Sequence, residues 1–298
     1  MPSPPFGRLV TAMVTPFTAS GSLDTARAAE LATYLVDELD NDGLVLNGTA
    51  GESPTTTDAE KAELVRAVVD AVGDRAAVVA GVGTFNTEHS VELAAQAAKA
   101  GAHGTLVVTP YYSKPPQAGL LAHFRAVAEA TDLPVMLYDI PHRAGVAIAT
   151  DTLLRLAEHP QIVAVKDAKS DLAAASAVTA ATDLAYYCGE DALTLPLLAV
   201  GAVGVVGTST HFNGRETKAM IQAHLAGDPA RALELHRRLL PLFTGIFATQ
   251  GTILVKAGLA LQGRPVGGVR LPLVTATESE VEALAACMAA AGVPASAS

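Results

Sequence analysis

Tryptophan is absent from the 298 residues, and aromatic side chains make up only 4% of them. A chain so poor in rings offers no stacking platform for nucleobases. Cationic side chains are few as well: 20 Lys and Arg against 30 Asp and Glu leave a net charge of -10. With no basic stripe to neutralise a phosphate backbone, nucleic acid is excluded as a partner. Only two cysteines occur, Cys188 and Cys287, too few for a disulfide framework. They read as small buried apolar residues of a reducing compartment. The longest apolar stretch, Leu195 to Gly207, is too short and too glycine-rich to span a bilayer, so no membrane partner is expected. Met1-Pro2-Ser3-Pro4-Pro5 lacks the basic start and apolar run of a signal peptide, and the expected location is cytoplasmic. The eight histidines show no H-x-x-x-H or H-E-x-x-H spacing, so no metal site is expected. A G-x-S-x-G elbow, a phosphate loop and a complete dinucleotide fingerprint are missing too.

What the chain does have is apolar residues, 50% of the total, enough to bury a large core without disulfides or metals. They are arranged in short β-branched runs, each followed by a stretch rich in Ala, Leu, Glu and Arg. The runs predict strands at Leu9–Val14, Gly43–Leu46, Ala77–Ala80, Gly104–Thr109, Val135–Asp139, Ile162–Lys166, Leu184–Cys188 and Val203–Val206. Unbroken apolar runs suit parallel strands buried on both faces. The intervening stretches predict helices over Asp24–Asp40, Asp58–Val72, Thr87–Ala100, Gln117–Ala130, Thr150–Glu158, Asp171–Ala181, Asp191–Val200 and Gly214–Ala226. Thr57 and Glu60 have the spacing of a capping box. Eight strand–helix units in order predict a (β/α)8 TIM barrel over residues 1–227, with a doubly wound sheet as the alternative. After Gly227-Asp228-Pro229 the alternation stops. Residues 228–298 read as a C-terminal α-helical extension, with helices at Ala230–Leu240, Phe243–Gln262 and Glu278–Ala291, the last two separated by the Pro- and Gly-bearing loop Gly263–Leu273.

In such a barrel the reacting groups sit at the C-terminal ends of the strands. Lys166 ends Ile162-Val163-Ala164-Val165-Lys166, and alternation puts it on the face of Ile162 and Ala164. If that face is interior, apolar walls disfavour an ammonium and leave an amine able to attack a carbonyl carbon. The competing assignment is a lysine that snorkels to solvent. Tyr138 ends the preceding strand, where a phenol relays protons or simply packs. The turn Asn47-Gly48-Thr49-Ala50-Gly51-Glu52-Ser53 offers backbone N–H groups and the Thr49 hydroxyl to a small carboxylate. Arg143, just past a strand end, suits bidentate carboxylate binding or a surface ion pair. Tyr111 and Tyr112 follow another strand end. His211, beyond the eighth strand, reads as structural. Asp167 and Lys169 read as solvated or salt-bridged.

Taken in order, G-T-x-G-E-S at Gly48–Ser53, V-T-P-Y-Y at Val108–Tyr112, Y-D-I-P-x-R at Tyr138–Arg143, K-D-A at Lys166–Ala168 and G-E-D at Gly189–Asp191 resemble the dihydrodipicolinate synthase and N-acetylneuraminate lyase family. The likeness covers almost the whole chain. Ser53–Thr57, Tyr111–Gln117 and Arg270-Leu271-Pro272 are most similar to the actinobacterial-type synthases. The resemblance implies a lyase that condenses pyruvate with L-aspartate 4-semialdehyde to 4-hydroxy-tetrahydrodipicolinate, in lysine and diaminopimelate biosynthesis. It implies a Schiff base on Lys166, a proton relay of Tyr138, Thr49 and Tyr112, and carboxylate binding by Arg143. Gly189 and Val206 would line the pyruvate end. No metal or organic cofactor is implied, since the lysine is itself the electron sink. Donation of Tyr112 across a subunit interface implies a homotetramer, a dimer of tight dimers.

The sequence departs from the family pattern at Ala50, where a second hydroxyl residue is usual, at His142, and over Gly207-Thr208-Ser209-Thr210-His211. These positions keep open a paralogous pyruvate-dependent aldolase acting on another aldehyde or keto sugar acid. A catalytically silent keto-acid binder is the third reading, against which Lys166, Tyr138, Thr49 and Tyr112 all stand. Asp58, Lys61, Phe85 and His89 match the cleft at which family members bind inhibitory L-lysine. Their charges predict weak inhibition or none.

Overall fold

The computed structural model describes residues 2–294. The sequence expectations at Met1 and at the last four residues of the 228–298 extension lie outside the described residues. Eight short parallel strands close on themselves in sequence order: β1 Leu9–Ala12, β2 Gly43–Leu46, β3 Ala77–Gly81, β4 Gly104–Val108, β5 Val135–Asp139, β6 Ile162–Asp167, β7 Ala185–Cys188 and β8 Gly204–Gly207. β1 pairs with β8 through Val10 opposite Val206, so no sheet edge remains. The strands are buried almost throughout. That is why they read as continuous apolar runs rather than alternations. The doubly wound alternative is thereby replaced by the closed barrel.

The helices follow the strands as expected, and the helix Asp58–Val72 is held by the capping box, in which the Thr57 side chain and Glu60 each accept from the other's backbone N–H. Several boundaries differ from expectation: the last barrel helix starts at Thr210 rather than Gly214, the stretch after β7 is a 3-10 turn at Asp191–Leu193 and a short helix at Thr194–Ala199, and β1 ends at Ala12. Two further differences are larger. The first helix is α-helical only over Thr25–Thr33 and ends in a π-helical turn at Tyr34–Glu38. The carbonyls of Glu38 and Asp40 are taken by Arg215 and Lys218 of the helix Thr210–Leu225. The expected helix Phe243–Gln262 is in fact two pieces. The helix Pro229–Gly245 runs on past Pro241, and a new helix starts at Gly251 with Gln250 as its cap. The break between them reaches the mouth of the barrel.

Gly227, at φ 76°, turns the chain out of the last barrel helix, and Asp228 caps the helix that begins at Pro229. From there the tail folds back over the C-terminal ends of the strands. Thr252 donates to the Ala50 carbonyl at 3.2 Å, and the Lys256 ammonium lies 2.7 Å from the Glu52 carboxylate. Among the described residues no helix is long and apolar enough to cross a membrane.

Candidate active site

The C-terminal strand ends and the tail enclose a cavity of about 450 Å³. Lys166 and Tyr138 stand opposite each other in the β5–β6 register, so the pleat sends both side chains to the same face. Lys166 is only 5% exposed, which removes the snorkelling assignment. Its Nζ lies 4.3 Å from the centre of the Tyr138 ring, close enough for the ring face to attract a cation. A side chain at Gly189 would place its Cβ 3.2 Å from Lys166 Cε and 3.0 Å from the Asp167 carbonyl. Glycine at the end of β7 therefore leaves the lysine stem its path.

The loop after β2 supplies Thr49 and Ala50 to the cavity wall. Thr15 donates to the Gly51 carbonyl at 2.7 Å, and Asn47 and Glu52 take left-handed φ of 55°. These fold the loop into a tight hook. Its foot is the fully buried pair Glu52–Lys256, to which Arg270 adds a backbone N–H at 2.8 Å. Arg143 lies on the short helix Pro141–Ala144 after β5 and faces both this cavity and a second one of about 540 Å³. The second cavity is walled by Tyr111, Tyr112 and Pro272, and it shares Thr49, Tyr138 and Arg143 with the first. Tyr138 thus stands at the junction between the two.

Glu190 is the one acidic side chain in the wall of the first cavity among the described residues. Burial pushes its carboxyl up, Asp191 adds to this, and Lys166 and Arg143 draw it back down. Asp191 is buried and takes the backbone N–H groups of Thr208 and Ser209 together with the Ser209 hydroxyl. It therefore holds the turn after β8. Burial raises its carboxyl as well.

Not every residue named from the sequence lies in the first cavity. Val206 is fully buried in β8 and does not line it; that stretch of wall is Thr208. Tyr112 reaches only the second cavity and is 94% exposed, at φ 72°. His211 is fully buried. Its Nε2 accepts from the Val14 N–H at 3.2 Å and its Nδ1 faces the Thr208 carbonyl at 2.8 Å, and burial lowers it to about 4. That is a structural histidine. Of the two expectations for Asp167 and Lys169, solvated or salt-bridged, the second holds for Lys169, which is enclosed and pairs across to Asp139 at 3.4 Å, while Asp167 is buried. The sequence reading missed the tail's share of the wall, Phe247, Thr249, Gln250 and Thr252. The small polar run Thr249-Gln250-Gly251-Thr252, interrupting a helical pattern, was the available signal. Among the described residues no three metal-ligating side chains converge.

The closed barrel, with a buried lysine at the end of β6, a tyrosine beside it and a hydroxyl-bearing turn opposite, is that of a (β/α)8 lyase. The model of the dihydrodipicolinate synthetase family matches residues 5–291, and the chain belongs to that family. It is 69% identical over 288 residues to a 4-hydroxy-tetrahydrodipicolinate synthase of Acidothermus cellulolyticus, covering 97% of this chain and 93% of that one. It is 62% identical to 4-hydroxy-tetrahydrodipicolinate synthase 2 of Streptomyces coelicolor, covering 98% and 97%. Among solved structures, the synthase of Cyanidioschyzon merolae with lysine bound superposes with a TM-score of 0.95 at 45% identity, covering 97% and 99%.

Proposed function

We propose that the protein is a 4-hydroxy-tetrahydrodipicolinate synthase that condenses pyruvate with L-aspartate 4-semialdehyde without metal or organic cofactor. The observation that carries this is the Lys166 amine, enclosed at a strand end against Tyr138 in a small polar cavity. The names of relatives 69% and 62% identical support it.

The Lys166 amine adds to the keto carbon of pyruvate, and water leaves to give the imine. Loss of a methyl proton gives the enamine, whose carbon attacks the aldehyde carbon of the second substrate. The amino group of that substrate then displaces Lys166 and closes the ring, so the two substrates yield the cyclic product and one water. Tyr138, at the junction of the two cavities, relays protons with Thr49 and Tyr112. Thr49 and the backbone N–H groups around Ala50 receive the pyruvate carboxylate, next to Gly189. Arg143 receives the carboxylate of the semialdehyde. Tyr112 is contributed to the site of a neighbouring subunit in a homotetramer, a dimer of dimers. The reading places the enzyme in the cytoplasm, with small-molecule substrates as its other partners and neither nucleic acid nor membrane.

Two measurements test this. Borohydride with pyruvate is expected to leave a reduced adduct at Lys166, and a coupled assay with aspartate semialdehyde to show turnover. A wild-type protein that is not modified removes the mechanism. An adduct without turnover of the semialdehyde moves the protein to the paralogous aldolases.

A further inference from the structure

The segment that carries Arg143 leaves the barrel at Asp139 and returns to the same residue. Asp139 Oδ1 accepts from the Ile148 N–H at 3.1 Å, and the Lys169 ammonium donates to the Ile148 carbonyl at 3.2 Å. Lys169 also lies 3.4 Å from Asp139 Oδ2. Both polar groups of Ile148 are therefore held by one ion pair, and residues 140–147 form a closed loop whose base is that pair. Lys169 reaches this place because Asp167 Oδ1 accepts the N–H groups of Lys169 and Ser170, with Ser170 at φ 64°. Asp139 and Asp167 stand opposite each other at the ends of β5 and β6, one residue beyond Tyr138 and Lys166 and on the other face of the sheet.

We infer that Asp139 and Lys169 are positioning residues for Arg143: their ion pair clamps the 140–148 loop so that the guanidinium is presented to the carboxylate of the acceptor aldehyde. The inference rests on the synthase reading for the identity of that carboxylate, but the clamp itself does not.

The cluster is costly, which argues that it is kept for a purpose. Asp139 is 0% exposed. Asp139 Oδ2, Asp167 Oδ2 and the Tyr186 hydroxyl are all buried without a hydrogen-bond partner. A fold needing only packing here is served more cheaply by apolar side chains, since charge desolvation offsets most of the attraction in a buried pair. The charged and titratable groups around Asp139 are Lys169, Asp167 and Tyr186, with Asp171 acting on Asp167. Burial raises Asp139 to about 6, and Lys169 draws it back down. Arg143 itself contributes nothing to the clamp, which acts on its segment through Ile148.

The test compares Asp139→Ala, Asp139→Asn and Lys169→Met in the full chain. Expected for Asp139→Ala and Lys169→Met is an aspartate-semialdehyde KM raised about tenfold or more, with the pyruvate KM and the Lys166 borohydride adduct unchanged. Asp139→Asn, which keeps an acceptor for Ile148, recovers part of the loss. On an Arg143→Ala background Asp139→Ala adds little, because two links of one chain are not additive. Limited trypsinolysis after Arg143 is expected to run faster in Asp139→Ala and Lys169→Met, and this needs no acceptor. Equal cleavage rates overturn the clamp whether or not the semialdehyde is the substrate. So does a rise of both KM values together, or full additivity with Arg143→Ala. If Asp139→Ala fails to fold, Lys169→Met carries every arm. A wild type that forms the adduct but does not turn over the semialdehyde sinks the synthase reading alone, and the cleavage rates still decide the clamp.

Discussion

Two loops with related assignments are built in opposite ways. The loop after β2, carrying Thr49 and Ala50, is tied down at every turn: Thr15 holds Gly51, Thr252 holds Ala50, and Lys256 and Arg270 hold Glu52. The loop after β4, carrying Tyr111 and Tyr112, leaves Tyr112 almost wholly in solvent, with Tyr112 and Lys114 at left-handed φ of 72° and 47°. Left-handed backbone at a bulky side chain costs on the order of 1–3 kcal/mol and persists where something else fixes it. The first loop finds its fixings within its own chain. The second is held at its base, where the Thr109 hydroxyl donates to the Tyr138 carbonyl at 3.0 Å, and by the edge contact of Tyr111 with Phe85, 5.4 Å between ring centres, while the Tyr112 side chain stays in solvent. The difference agrees with the proposal above, in which one chain completes the pyruvate end and a neighbour's Tyr112 completes the proton relay.

The largest expected effect lies on neither loop and sets the scale for both. Lys166→Ala removes the covalent step and is expected to lower turnover by roughly 10⁴–10⁶-fold, as loss of a catalytic nucleophile does, with no borohydride adduct by intact mass. Equal labelling of this variant sinks the mechanism.

Next comes the exposed loop. Tyr112→Phe is expected to lower kcat by about 10²–10⁴-fold, the range for a lost proton-transfer group. If Tyr112 serves a neighbour's site, mixing Lys166→Ala and Tyr112→Phe proteins under subunit exchange restores activity, because some sites then hold an intact lysine and an intact tyrosine. Mixtures as inactive as their components would place Tyr112 outside the relay or within its own subunit.

The tethered loop is broken through its foot. Lys256→Met leaves the Glu52 carboxylate buried and uncompensated, which costs about 3–5 kcal/mol. Chemical denaturation measures it. Adding Glu52→Gln is expected to return part of that loss, since no lone charge then remains. A loss below about 1 kcal/mol for the single variant would mean that this ion pair is not what holds the loop.

How much of this was legible beforehand follows from periodicity. β2 and β5 were readable to the residue because a strand buried on both faces is a largely apolar run, and Gly or Pro closes it. That Lys166, Tyr138, Thr49 and Arg143 meet at one cavity was readable because a barrel fixes where strand ends point. The tail's contribution was not. Thr249, Gln250 and Thr252 reach the cavity only through a helix break that an apolar period masks, and no local pattern says which remote residue meets Ala50. The clamp was hidden for the same reason: Lys169 two residues after Asp167 reads as solvated or salt-bridged with no partner indicated, while its partner Asp139 lies 30 residues away on the neighbouring strand. Val206 is buried in β8, and two residues further on it is Thr208 that lines the cavity.

Beside the exposed loop lies the cleft matched to L-lysine binding. Here Asp58 is already engaged by His89 at 2.9 Å and Lys61 turns inward to the Thr56 carbonyl, while Phe85 is exposed. Little free negative charge is left for a cationic ligand, so L-lysine is expected to inhibit weakly or not at all. Submillimolar binding by calorimetry overturns this.

The smallest effect tests the tethered loop at its tip. Ala50 is buried against the cavity, where the family resemblance puts a second hydroxyl on the pyruvate carboxylate. The backbone N–H groups of the hook remain, and its tethers do not pass through the Ala50 side chain. A missing hydroxyl therefore weakens binding without disordering the turn. A hydrogen bond to a charged group is worth roughly 1.5–3 kcal/mol, or about tenfold to hundredfold in affinity. Water entering the vacated space recovers part of that. The hydroxyl serves ground state and transition state alike, so its return acts on KM more than on kcat. Ala50→Thr is accordingly expected to lower the pyruvate KM several-fold. The rival account is that Ala50 makes room for a bulkier keto acid. Steady-state kinetics with pyruvate and 2-oxobutyrate on both proteins separate the two. An unchanged pyruvate KM together with lost activity on 2-oxobutyrate would mean that the hook was widened for a larger substrate, and that its tethers hold an altered specificity rather than a weakened one.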